Sequence, residues 1–174
     1  MHWRRIARGR PGQAIVETAL LGPVLCLLVL GSADLGRIFY YSISVTNAAR
    51  EGVRHGSAYD PTTNTNPNDS DAAVLQAVKN EAADLTLVEP NPPMSPPHCP
   101  TWPYAGGMYP TTPNQGYVFV CFNESDLAAT ANSGQTIRVT ILYNFSPVTP
   151  LVGSFSASSI HVQATAVMVV QGQP

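Results

Sequence analysis

Few side chains in this 174-residue chain have types and spacings that could do chemistry. His98 and Cys99 put a base beside a thiol, but a nucleophile needs its base placed across space by the fold, and adjacency in a proline-rich stretch does not do that. His55, His98 and His161 with two cysteines form a scattered set, and no CxxC or HxxxH spacing brings two of them onto one turn or helix face as metal ligands. Gly106 and Gly107 have no helix behind them, so they do not build a phosphate cradle. No catalytic residue, metal site or cofactor is therefore expected, and no enzyme. Two features remain: a carboxylate in apolar surroundings, Glu17, and a cysteine pair, Cys99 and Cys121.

Charged residues make up 11% of the chain, against about 25% in an ordinary globular protein, and they are unevenly placed. Arg4, Arg5, Arg8 and Arg10 hold four of the nine basic charges, which leaves five basic against eleven acidic side chains in the rest. That acidic remainder argues against nucleic-acid binding, which needs Lys and Arg to neutralise phosphates. Residues 18–33 (TALLGPVLCLLVLGSA) carry no charge; with residues 14–17 they make about 20 helical residues, about 30 Å, the thickness of a bilayer core. Four arginines precede this span and only Asp34 and Arg37 follow closely, so the positive-inside rule keeps the N-terminus cytoplasmic and puts the acidic part outside. Glu17 conflicts with the span. A carboxylate there costs about 3 kcal/mol unless it lies at the interface or finds a partner, although the N-terminal helix dipole favours it.

Gly12-Gln13-Ala14-Ile15-Val16-Glu17 follows a basic leader and opens into the apolar run. It resembles the type IV prepilin signal, in which a peptidase cuts after the glycine and a glutamate stands fifth in the mature chain. Pro23 would then be eleventh, a short way inside the helix, where pilin-type helices also tend to carry a proline. Together GQAIVETALLGPVLCLLVLG, ADLGRIFYY and TNAAREGVR resemble the TadE-like family of pseudopilins, minor components of the tight-adherence (Flp) pilus machinery. The resemblance covers residues 12–56, and Thr18 departs from it, standing where the family usually has an aromatic residue. It implies prepilin peptidase cleavage between Gly12 and Gln13. It also implies that Glu17 faces the new amine of Gln13 or of a neighbouring subunit and sets register during subunit assembly. The implied partners are the prepilin peptidase, the major pilin and other pseudopilins, the inner-membrane pilus secretion apparatus and membrane lipid.

Beyond the span no proline interrupts residues 34–54, and Leu35, Ile38, Phe39, Ser42, Val45, Ala49 and Val53 recur at three- and four-residue steps. That spacing predicts one amphipathic helix continuous with the anchor, its apolar stripe packed on a globular head. Asp34/Arg37 and Glu51/Arg54 are expected i,i+3 pairs, and Gly56 can end the helix. Residues 57–70 read as a polar loop, and Asp69 or Ser70 can cap a second helix over 71–85. A short strand over 86–89 comes next, then nine prolines within 90–113 that forbid regular structure. A short apolar run then predicts a strand over 117–122, and period-two alternation predicts strands over 135–145 and 159–171, an antiparallel sheet with one wet face.

The expected architecture is α+β: a basic leader (1–12), the transmembrane half of a long helix (13–33), its extracytoplasmic half (34–56) and an extracytoplasmic head (57–174). Cys99 and Cys121 both fall on the oxidising side, where a bridge would close a loop of about 22 residues and contribute about 3 kcal/mol; two separate thiols are the other outcome. Cys26 is a small apolar residue of the span. Trp102, Tyr104 and Tyr109 make the proline-rich segment a candidate binding loop. The expected function is that of a minor pseudopilin-like structural component of Flp-type pilus biogenesis in the cytoplasmic membrane. The alternative is a secreted or membrane-anchored extracytoplasmic binding module, cleaved after Ala33 at the small-x-small Gly31-Ser32-Ala33 or not cleaved at all.

Overall fold

The structure, a computed structural model, describes residues 11–60, 62–63, 66–68, 70–90, 99–122, 134–149 and 159–170. The leader arginines, Asp69 and His98 lie outside these residues. Helix α1 runs unbroken over Pro11–Gly56, 46 residues or about 69 Å. It begins at a proline, whose fixed φ suits the first helical position. The helix also continues through Pro23, which lacks one backbone donor.

Helix α2 (Asp71–Glu81) is capped by Ser70, whose hydroxyl accepts from the Ala73 amide at 3.3 Å. It stops at Glu81, earlier than its apolar periodicity suggests; Ala82 closes the last turn onto the Val78 carbonyl and Leu85 bonds back to Ala82. Four strands follow: β1 (Thr86–Val88), β2 (Gln115–Phe122), β3 (Thr136–Phe145) and β4 (Ile160–Val169), hydrogen-bonded in that order. Strands β2, β3 and β4 form the expected antiparallel meander, while β1 adds a parallel edge with Leu87 opposite Gly116. Within the proline-rich segment the one regular piece among the described residues is a single 3-10 turn, Gly106–Met108.

One sheet face carries Ile137, Val139, Ile141, Tyr143 and Phe145 of β3, and these pack against Val45, Ala48, Ala49 and Val53 of α1 and Val74 and Val78 of α2. All are almost completely buried. Small residues permit the close approach. A Cβ at Gly52 would stand 2.5 Å from a Val78 methyl and 3.3 Å from a Val139 methyl, and one at Gly56 would overlap Ile137 and Val74. Gly56 therefore ends the helix and also admits β3. The buried Asn66 side chain caps that end, donating to the Gly56 carbonyl and accepting from the Asn68 amide at 3.0 Å.

This packing fixes the rotation of α1 and corrects the expected stripe. Ile38, Val45, Ala49 and Val53 face the core, but Leu35 and Phe39 turn outward, 54% and 62% exposed. The physical reason is how far along the axis the head reaches: Leu35 lies about five full turns before Val53, at the same helical angle. Helix α2 closes on α1 at the level of Gly52 and Gly56, so Val53 is covered there while Leu35 and Phe39 are left bare nearer the apolar end. Gly52→Leu is accordingly expected to lower stability by about 2 kcal/mol or more in chemical denaturation of the detergent-solubilised protein. Gly36→Ala, where an added Cβ meets nothing within 4 Å, should be neutral or slightly stabilising.

Candidate functional site

Three stations along the molecule carry the residues singled out above. The first is the start of α1. Gly12 and Gln13 lie in its opening turn, and the Gln13 side-chain amide donates to a Glu17 carboxylate oxygen at 3.0 Å. Both side chains are exposed, as are Ile15, Val16, Leu20, Leu21, Val24 and Leu25. Cys26 is free and exposed on the same bare stretch. Among the described residues one helix, Gly12–Gly56, is long and apolar enough to cross a membrane, with a window of mean hydropathy 2.2 and none of that window buried.

The second station lies where the apolar run ends. Asp34 is only 3% exposed, and its carboxylate accepts four hydrogen bonds. The Thr149 hydroxyl donates at 2.6 Å, the Thr149 amide at 2.9 Å, the Val148 amide at 3.2 Å and the Arg37 guanidinium at 3.2 Å. These hold the Asp34 carboxyl below the ordinary aspartate value of 3.8, the Thr149 hydroxyl contributing most, while burial opposes them. Arg37 also lies over the Phe145 ring at 5.2 Å and the Tyr41 ring at 5.6 Å. Tyr41 in turn packs on Tyr143 and Phe145 with centroids 5.5 Å apart. Burial pushes the Tyr143 phenol up to about 12. The spacing of Asp34 and Arg37 correctly suggests their pairing, but the partners 114 and 115 residues away have no sequence signal. The Glu51–Arg54 pair also forms and lies on the helix surface.

The third station is the far face of the sheet, which the alternation left wet. The segment from Cys99 to Asn114 crosses it as a strap. Cys99 is bonded to Cys121 of β2, with Cα atoms 5.6 Å apart. Tyr109 is buried on Phe119 and Leu142, stacks on His161 at 3.8 Å, and donates to Gln163 at 2.9 Å. Tyr104 pairs with the Thr165 hydroxyl at 2.8 Å. The Asn144 amide donates to the Pro110 carbonyl at 2.8 Å, and the Asn114 amide donates to the Asn144 carbonyl at 2.7 Å. On this face Thr140 and Asn144 of β3 are buried, while His161, Gln163 and Thr165 of β4 contact the strap and stay exposed to water. Trp102 is the aromatic left in the open, 75% exposed. Among the described residues no group of three or more His, Cys, Asp or Glu is placed to hold a metal ion.

One long helix, bare and apolar at one end and built into an α+β unit with a four-stranded mixed sheet at the other, defines the architecture. Within it, residues 12–54 match the family model described as TadE-like protein, which links this helix to Tad/Flp pilus-related function in a structural, pilus-associated family. No curated protein matches the chain, and no solved structure matches it.

Asp34→Asn should destabilise the protein by about 3 kcal/mol in denaturant titrations at neutral pH, since it leaves Arg37 without its counter-charge and places an amide donor against two of the four donors. The sign with pH follows from the lowered carboxyl: its contribution is complete above the unfolded value near 3.8 and fades as pH falls below it. Glu51 and Asp60 shift in the same direction, so the readout is the gap between wild type and Asp34→Asn, which should narrow below about pH 4. For the strap, Cys99→Ser with Cys121→Ser should cost about 3 kcal/mol, measured by the same titration.

Proposed function

We propose that this chain is a minor pseudopilin-like structural subunit of tight-adherence (Flp-type) pilus biogenesis, anchored in the cytoplasmic membrane by residues 13–33. The N-terminus faces the cytoplasm and residues 34–174 lie outside. A prepilin peptidase cuts between Gly12 and Gln13, and the subunit then meets the major pilin, other pseudopilins and the inner-membrane secretion apparatus through its N-terminal helix. The observation that carries this proposal is the partition of α1: its first half is apolar and uncovered, its second half is the core of the head, and the TadE-like match spans both.

Two further observations support assembly through the helix. Away from the docked face Phe39 and Ile43 remain exposed beyond the span, with Leu35 bare on the flank, and the helix becomes polar there only at Asn47, Arg50 and Arg54. An apolar strip at that height suits another helix of the assembly. Gln13 already lies within hydrogen-bond reach of Glu17. Cleavage would add an amine to Gln13, giving Glu17 a cation of its own or of a neighbour to face. The disulfide supports the extracytoplasmic placement, because such bridges persist in oxidising compartments.

A second reading, an extracytoplasmic binding module, is favoured by one observation: exposed Trp102 borders a groove of about 440 Å³ on the strapped face. The two activities are compatible in one subunit.

The mature N-terminus of protein purified from its own host tests the first reading. Gln13 is the expected result, and a start at Asp34 would replace the membrane subunit with a secreted binder. Gly12→Ala should leave the leader attached and stop pilus assembly while the protein still inserts; normal piliation would remove cleavage from the mechanism. Glu17→Gln should reduce complex formation with the other pilus subunits, read by co-purification, without changing insertion.

A further inference from the structure

The groove beside Trp102 has a composition that narrows its ligand. Residues 57–174 contain two cationic side chains, Lys79 and Arg138, against eight carboxylates. One of the two, Arg138, lines this groove together with Trp102, Tyr104, Gln163 and Thr165. Arg138 sits on the strapped face of β3, between Cys121 and Val167 as its register partners, and is only partly exposed. Among the described residues it has no ion pair, and its Nε is buried without a hydrogen-bond partner. Neighbouring polar groups are mostly committed: the Thr165 hydroxyl to Tyr104 and Thr140, and the Gln163 carbonyl to Tyr109. The groove therefore offers one partly exposed guanidinium whose Nε is buried and unpartnered, one uncommitted Gln163 amide donor group and one exposed indole.

We infer that this groove binds a saccharide bearing a single carboxylate, with the pyranose ring on Trp102 and the carboxylate on Arg138. A guanidinium pairs with a carboxylate through two parallel N–H donors, and partial burial strengthens that pairing. The indole presents a broad apolar surface to the C–H face of a sugar ring. Net acidity of the surrounding domain repels polyanions, so one acidic group per binding unit suits the site better than many. This inference deepens the contact-loop part of the proposal above and is independent of processing at Gly12.

The experiment uses the full chain in detergent, with ligand-observed NMR titrations of cellobiouronate, one carboxylate on two rings, and of cellobiose as its neutral counterpart. Cellobiouronate should bind at least tenfold tighter than cellobiose, and Arg138→Gln should remove that difference. Trp102→Ala should weaken both sugars at least tenfold with no change in thermal stability, which keeps the test decisive if Arg138→Gln also unfolds the head. Equal binding of the two sugars, no binding of either, or unchanged binding in Trp102→Ala would overturn the inference. Tighter binding of a capped Pro-Glu dipeptide than of cellobiouronate would overturn it in favour of an acidic peptide. None of these results bears on the mature N-terminus, so failure here leaves the pilus-subunit proposal standing or falling on its own test.

Discussion

The Asp34 carboxylate joins the last turn of the apolar run to the chain that follows β3. It has no slack: three donors from Val148 and Thr149 and one from Arg37 converge on two oxygens in a buried place. Replacing such an acceptor strands donors that water cannot reach, which is costlier than losing one ordinary hydrogen bond. Because β3 runs back along α1 from Gly56 toward Tyr41, the Asp34 contact fixes the end of the head nearest the bare helix. The helix and the sheet therefore move together from Asp34 onward, and the uncovered half of α1 begins directly before it.

Rotation of the helix is set at the other end. Gly52 and Gly56 leave no space for a side chain, and Ala48 and Ala49 leave little, so α2 and β3 close on one strip of α1. With that strip turned inward, Phe39 and Ile43 point away from the sheet, and Leu35 lies bare on the flank. A helix that only carried a head would be polar on its free face from the end of the span. Here the free face stays apolar for about 15 Å beyond Ala33, which is the physical reason to expect a protein neighbour at that level.

Much of this was legible in the sequence. The uncharged run, the basic leader and the GQAIVE start point to the anchor; a short apolar run places β2, and period-two alternation places β3 and β4, within a residue or two. Legibility fails where a residue's role depends on distant chain. Leu35 and Phe39 share the heptad-like spacing of the core residues, and spacing alone does not say which side of a wide stripe the sheet will touch. Asp34 reads as half of a local ion pair because Val148 and Thr149 are invisible to local pattern. Gln163 and Thr165 are exposed as the wet face predicts, but Thr140 and Asn144 are buried, because polar side chains look the same in sequence whether they meet water or a strap.

The strap resolves that ambiguity and makes a surface. Prolines prevent the 99–114 segment from pairing as a strand, so it must satisfy its polar groups on side chains of the sheet beneath, and Asn144, Gln163 and Thr165 are placed to take them. Tyr109 carries the apolar part of the contact and is consumed by it. With the segment held at Cys99 by the disulfide and at Tyr104 and Tyr109 by hydrogen bonds, Trp102 is presented between fixed points. A large apolar ring held in water in this way gains nothing for the fold, and beside the one cation of this sheet it is better explained by what it meets than by what it stabilises.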